Sequence, residues 1–401
     1  MEEWHTYFLK DIATFSQGIQ VDIDNQFIKK DNGLIRFIRI IDYSKNNEPP
    51  RYISCPKNSY IVNDDDIVMI RYGSQTAGKV VRGISGAIAN NMFKITLNNN
   101  IITNEYAYYY LSQTSVFNNL RGSQSSSTMP AITFELVGRQ KILLPNIRIQ
   151  EKITTILSSL DDKIELNRRI NENLEQQAQA LFKSWFVDFE PFKDGKFVDS
   201  ELGMIPEGWK VNNIYEYIDV IYGAPYKSSL FNTDKNGYPL IRIRDLKTYT
   251  PQFYTPEILP NTEYIYPGDV IAGMDAEFIP TLWLGEKGLL NQRCCKFISK
   301  RKNISNYYLL YLLMPELLCV QNYKTGTTVS HLGKADIDRF KVITPPIEII
   351  EKFSTLVNPL YNEKIKLACE NRIITNLRDA LLPKLMSGEL KLSEMETKLD
   401  E

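Results

Sequence analysis

The stretch Gly73-Ser-Gln-Thr-Ala-Gly78-Lys79-Val80 comes nearest in this chain to a chemical motif. Its glycines and lysine match the phosphate loop G-x-x-x-x-G-K-[ST], but Val80 stands where Ser or Thr must hold magnesium. It also lies between strand-like runs and opens no helix. It reads as a tight turn that could touch a phosphate through backbone N–H groups. Other chemistries lack their residues too. Amino-methyltransferases hold the exocyclic nitrogen with Asn/Asp-Pro-Pro-aromatic, and the nearest stretch here is Thr344-Pro345-Pro346-Ile347. No carboxylate pair followed by lysine marks a nuclease metal site. Asp64-Asp65-Asp66 could bind a hard cation, but it sits just before a strand and reads as a solvated turn. Only two histidines occur, His5 and His331, too few for histidine catalysis or a histidine-rich metal site. No catalytic residue and no metal ligand is assigned, and the pattern points to a binding protein.

Charge supplies the next signal. The net charge is −1 and the pI about 6.3, which by itself argues against a nucleic-acid partner. The average hides two windows. Between Asp66 and Glu135 the only acid is Glu105, alongside Arg71, Lys79, Arg82, Lys94 and Arg121. Residues 287–335 hold one acid, Glu316, among Lys287, Arg293, Lys296, Lys300, Arg301, Lys302, Lys324 and Lys334. Two locally positive surfaces on a weakly acidic protein would attract a polyanion.

These windows recur because the chain is duplicated. Trp4 matches Trp209 and Gly18 matches Gly223 at an offset of 205. Leu34-Ile35-Arg36 answers Leu240-Ile241-Arg242 at 206, and Pro145 meets Pro345 at 200. A repeat of this length is a domain duplication and suggests two related binding events. Each copy begins with short strand-like runs, such as 51–55, 60–62, 66–72 and 93–97, then 240–246, 264–274 and 294–299. Helical stretches are expected at 104–119 and 305–322. The class is α+β, with a curved antiparallel sheet as the expected core of each copy.

Each copy ends in a long heptad-patterned helix. From Ile149 to Trp185 there is neither Pro nor Gly. The seam is expected at Leu157, Leu160, Ile164, Asn167, Asn171, Leu174 and Leu181, and in the second copy at Leu360, Leu367, Asn371, Ile374 and Leu381. Pro359 is expected to break the first turns of the second helix. The two helices should pair as an antiparallel coiled coil, with asparagines fixing register. At 1.5 Å per residue the first would span about 55 Å. The linker 187–209 is expected to dock its aromatic residues. Five cysteines, none in a C-x-x-C pair, read as reduced thiols of a cytoplasm. Neither a signal peptide nor a membrane span is expected.

Residues 170–192 (INENLEQQAQALFKSWFVDFEPF), 201–209 (ELGMIPEGW) and 377–390 (LRDALLPKLMSGEL) resemble the specificity subunit of type I restriction–modification systems. The resemblance covers the whole chain. It implies two tandem target-recognition domains, 1–146 and 209–345, each mixed α/β, separated by conserved helices at 147–187 and 346–390. The linker is then 188–208 and an acidic tail 391–401. It implies a non-catalytic subunit that reads a bipartite double-stranded DNA target, with the paired helices as a ruler. Two methylation subunits and restriction/translocase subunits would dock on it in a prokaryotic cytoplasm. No cofactor of its own is implied; S-adenosylmethionine, ATP and magnesium would belong to those partners.

The resemblance identifies no base-reading residue. Hydrogen-bonding chemistry favours Arg, Lys, Asn, Gln, Ser and Thr on loops of the basic windows. In the first copy these are Arg71, Gln75, Lys79 and Arg82, and Arg121, Ser123, Gln124, Ser126 and Thr128. In the second they are Asn291, Gln292 and Arg293, and Lys324, Thr325, Thr327, Thr328 and Ser330. Two alternatives remain at this stage: a coiled-coil scaffold with two protein-binding modules, and an enzyme with an unrecognised site. Affinity that falls steeply with salt would mark the DNA reader.

Overall fold

The computed structural model describes residues 4–44, 48–122, 131–324 and 331–391. The chain forms two compact units, Met1–Asp162 with Thr375–Glu401, and Lys163–Ile374.

In the first unit, strands Ala13–Gln17, Met92–Leu97, Ile67–Ile70 and Val80–Val81 lie side by side in that order, every pairing antiparallel. A second sheet orders Arg51–Ser54, Leu34–Ile38, Gly86–Ile88 and Ile61–Val62. Here Leu34–Ile38 runs parallel to Gly86–Ile88. His5–Phe8 pairs with Lys141–Leu144, so the start of the module returns to its end. Met92–Leu97 alternates between inner and outer positions toward its end, whereas all four residues of Ile67–Ile70 are buried. That is what a central strand covered on both faces requires.

The second unit repeats this plan. Its sheets are Ile218–Tyr222, Cys294–Ser299, Val270–Gly273 and Thr281–Leu282, then Phe253–Thr255, Tyr238–Ile241, Gly288–Leu290 and Tyr264–Ile265. Again one pair is parallel, Tyr238–Ile241 with Gly288–Leu290. The single curved antiparallel sheet expected from sequence is therefore two four-stranded sheets per copy, one of them carrying a parallel pair, with a separate two-stranded pairing of the copy's start with its end.

Pairing registers correct the alignment of the copies. Phe37 faces Ala87 and Ile38 faces Ile88, as Leu240 faces Leu289 and Ile241 faces Leu290. Ile241 thus answers Ile38, at an offset of 203, and the sequence match of Ile35 with Ile241 at 206 was three residues out of register. The dipeptide Ile-Arg stands at both 35–36 and 38–39, and the earlier one gave the false match. The corner after each strand confirms the shift. Asp42 accepts from the Arg39 N–H at 2.7 Å, and Asp245 from the Arg242 N–H at 3.0 Å. That turn ends the expected 240–246 strand at Ile241 and starts a 3-10 turn at Ile243–Asp245.

The expected 104–119 helix is two, Asn104–Ser112 and Thr114–Gly122, while its counterpart runs unbroken over Asn306–Lys324. The long helices are Ile147–Phe186 and Ile347–Ser387. Pro359 does not break the second one; it is exposed, so the missing N–H leaves no buried acceptor stranded.

None of the expected seam residues is exposed. In the first unit, Leu157 is fully buried in one core with Leu385 and Met386, and Leu381 packs on it. There Arg378 Nη1 meets Asp161 at 2.6 Å, and Asp161 also accepts from the Tyr109 hydroxyl at 2.7 Å. In the second unit, Asn167 is 0% exposed and donates to Asn371 Oδ1 at 2.9 Å and Glu370 at 2.8 Å. Asn371 returns a bond to the Ile164 carbonyl at 3.0 Å. Further along, Lys364 pairs with Glu175. Numbering rises on one helix as it falls on the other, the antiparallel sense expected. The linker aromatics dock: Phe189 and Phe192 lie 5.3 and 5.2 Å from the Trp209 ring.

Candidate nucleic-acid interface

Three separate segments meet at one corner of the first unit. The Arg71 N–H donates to the Asn91 carbonyl at 2.8 Å, and the Ile132 N–H donates to the Arg71 carbonyl at 3.0 Å. Tyr72 bridges Ala131, and Ile19 bridges Ala89. Ala131 therefore lies beside the 71–78 turn. Arg121 donates from Nη2 to the Ser74 carbonyl of that turn at 2.5 Å.

The second unit builds the same corner. The Met274 N–H donates to the Arg293 carbonyl at 2.8 Å, and the Leu332 N–H to the Met274 carbonyl at 2.7 Å. Asp275 bridges His331, and Ala224 bridges Asn291. Backbone geometry is thus repeated while side chains differ. Where the first copy has Tyr72 and Ala131, the second has Asp275 and His331 in contact at 2.7 Å, with Arg293 on the same carboxylate at 2.9 Å.

The candidate residues divide by environment. Gln75 and Lys79 are exposed on the glycine turn. Ala77, Gly78 and Lys79 use their N–H groups within that turn and its strand, on Gly73, Ile70 and Thr76. The turn is therefore closed on itself through these groups, and they are unavailable as a phosphate cradle. Gly73 and Gly78 adopt φ of +123° and +91°, which explains why glycine stands at both ends. Arg71 is half-buried, with Nη1 on Gln17 Oε1 at 2.6 Å. Arg82 is held inward by Glu105 at 2.6 Å and lies 3.9 Å from the Tyr108 ring. Burial opposes its charge most strongly, but the hydrogen bond to Glu105 and the charge of that carboxylate, with smaller help from Tyr108 and Tyr109, together outweigh it and raise its pKa. Asn291 is buried; Gln292 and Arg293 beside it are exposed. Lys324 contacts Asp336 and the His331 carbonyl, both at 2.6 Å. Ser123, Gln124, Ser126, Thr128, Thr325, Thr327, Thr328 and Ser330 lie outside the described residues.

The basic windows are less positive than their composition. Lys94 meets Asp66 at 2.6 Å, and Lys296 meets Asp269 at 3.0 Å and Glu263 at 2.9 Å. These acids stand at or beyond the window edges, so counting within the windows missed them. Asp66 is thereby a structural partner, and the Asp64–Asp66 run offers no cation site. Among the described residues no cluster of three His, Cys, Asp or Glu could hold a metal, and no helix is long and apolar enough to cross a membrane.

Sequence reasoning missed the amides beside Arg71. Gln17 Nε2 donates to the Asn90 carbonyl at 2.6 Å, and Asn90 Nδ2 to Gln20 Oε1 at 3.1 Å. A signal was present. Gly86 and Gly288 share strand positions at an offset of 202, and that offset carries Asn291–Arg293 back to Ala89–Asn91.

Comparison with known proteins bears on this architecture. The family model described as "Type I restriction modification DNA specificity domain" matches residues 1–176 and 206–374. The type I restriction enzyme MjaIX specificity subunit of Methanocaldococcus jannaschii is 30% identical over 328 residues, covering 76% of this chain and 73% of that protein. The MjaVIII specificity subunit of the same organism is 25% identical over 418 aligned residues, covering 98% and 94%. The crystal structure of the S subunit of a type I restriction–modification system from M. genitalium shares the fold, with a TM-score of 0.56 at 14% identity over 96% of both chains.

Proposed function

Because the chain belongs to the type I restriction–modification DNA specificity family, and is thus a DNA-recognition subunit without catalysis of its own, we propose that it reads a bipartite double-stranded DNA target, one half with each unit. In this reading it brings two methylation subunits to that target, and restriction/translocase subunits join the complex. The methyl donor S-adenosylmethionine, ATP and magnesium then belong to the partners. The long helices set the unread gap between the half-sites, and the complex works in a prokaryotic cytoplasm.

One observation carries the bipartite part. The corner at 71–72, 89–91 and 131–132 is rebuilt at 274–275, 291–293 and 331–332 with the same hydrogen bonds and other side chains. A shared scaffold with different polar heads is suited to two different sequences read by one mechanism.

The purified chain with S-adenosylmethionine and duplex DNA is expected to transfer no methyl group. Adding the methylation subunits of the same host should yield methylation at a split target, read by single-molecule sequencing. Methylation of a continuous, unsplit site by that complex would contradict the proposal, as would transfer by the chain alone.

A further inference from the structure

Gly18 lets two segments approach more closely than any side chain would allow. A Cβ there would lie 2.2 Å from the Ala89 carbonyl oxygen, and at Gly223 the same atom would lie 2.1 Å from that of Asn291. The approach sets residues 17–20 against 89–91. On the outside of this junction Asn90 Nδ2 donates to Gln20 Oε1 at 3.1 Å. Beneath it, Gln17 joins the Asn90 carbonyl to the Arg71 guanidinium, each at 2.6 Å. The cluster contains amides and one guanidinium and no carboxylate.

An amide cluster that served only the fold should be retained where the fold is repeated. The half-buried pair Lys94–Asp66 is retained, as Lys296–Asp269. The amide cluster is not: Asn90 is answered by another amide, Gln292, but Gln17 and Gln20 are answered by Tyr222 and Pro225 on the same backbone.

The bond between Asn90 and Gln20 leaves Gln20 Nε2 and Asn90 Oδ1 without a hydrogen bond among the described residues, with Gln20 exposed. A donor thus stands beside an acceptor. Of the four bases, only adenine carries the complement on its own major-groove edge, acceptor N7 next to donor N6; guanine offers two acceptors there. We propose that the Gln20–Asn90 amide pair reads an adenine in the half-site taken by the first unit. This rests on the split-target reading above.

The test is selection from a randomised duplex library by the full-length chain assembled with its methylation subunits. Gln20→Glu removes the donor and leaves a group that accepts, the partner of the cytosine N4 amine. It should weaken adenine about tenfold at one position of one half-site and raise cytosine there. Gln20→Ala should lose the adenine preference without gaining cytosine. Unchanged preference in both variants, while exchange of residues 1–145 for those of a relative moves that half-site, would overturn the amide-pair assignment alone. If the exchange moves neither half-site, the split-target reading falls with it.

Discussion

Lys94 and Lys296 stand at matching positions, and each gives its charge to half-buried carboxylate groups of its own unit, Asp66 for the first and Asp269 with Glu263 for the second. Burial would lower the pKa of Lys296, yet its bonds to Glu263 and Asp269 raise it. Such residues show why individual roles were hard to see in the sequence. A lysine that faces an acid 27 or 28 positions away has no local mark of it. Glycine roles were plainer, because Gly18 and Gly223 answer each other in the repeat. Asp336 gives the residue-scale prediction. Burial pushes its carboxyl up, but Lys324 Nζ at 2.6 Å and the Gly333 N–H at 2.7 Å outweigh this and hold its pKa below the ordinary 3.8. A depressed carboxylate stabilises the fold above its unfolded pKa, and loses that effect as pH falls through the lower folded value. Asp336→Asn should therefore cost about 1.5 kcal/mol at neutral pH. The gap from wild type should close as the pH drops below about 3.8. Thermal midpoints across that range check it, and a gap independent of pH would contradict the assignment.

At the scale of elements, the long helices were legible because heptad spacing is a local signal repeated many times. Leu157 and Leu367 are buried as that spacing requires. The break expected at Pro359 did not occur, since a helix tolerates proline where the missing donor faced water. The sheets were less legible. Several short strands were recognised, but the expected run 264–274 is two strands of different sheets, Tyr264–Ile265 and Val270–Gly273, and which strand neighbours which depends on contacts distant in sequence. The parallel pair in each unit has no signature within either strand. The seam asparagines are not equivalent. Asn371 both accepts from Asn167 and donates to the Ile164 carbonyl, whereas Asn171 Oδ1 is buried with no partner among the described residues. Asn371→Ala strands a buried amide and should cost about 2 kcal/mol. Asn171→Ala should change stability by no more than about 0.5 kcal/mol. Urea unfolding of the second unit distinguishes them, and equal losses would mean that the asparagine pair does not fix the register.

For the whole molecule, duplication was the most legible feature, and with it the expectation of two binding events. Its register was not fully legible, because Ile-Arg at 35–36 imitates Ile-Arg at 38–39 until strand pairing decides between them. Nor were the polar corners, where Gln17, Arg71 and Asn90 converge from three places in the chain. The two units share backbone plan and differ in side chains at that corner, and the proposal of independent half-site reading follows from that contrast. The most direct measurement exchanges residues 1–145 for the same region of a relative, and maps the methylated target of the assembled enzyme before and after. One half-site should change, while the other half-site stays as it was. If both half-sites change together, the units do not read independently and the central claim is wrong.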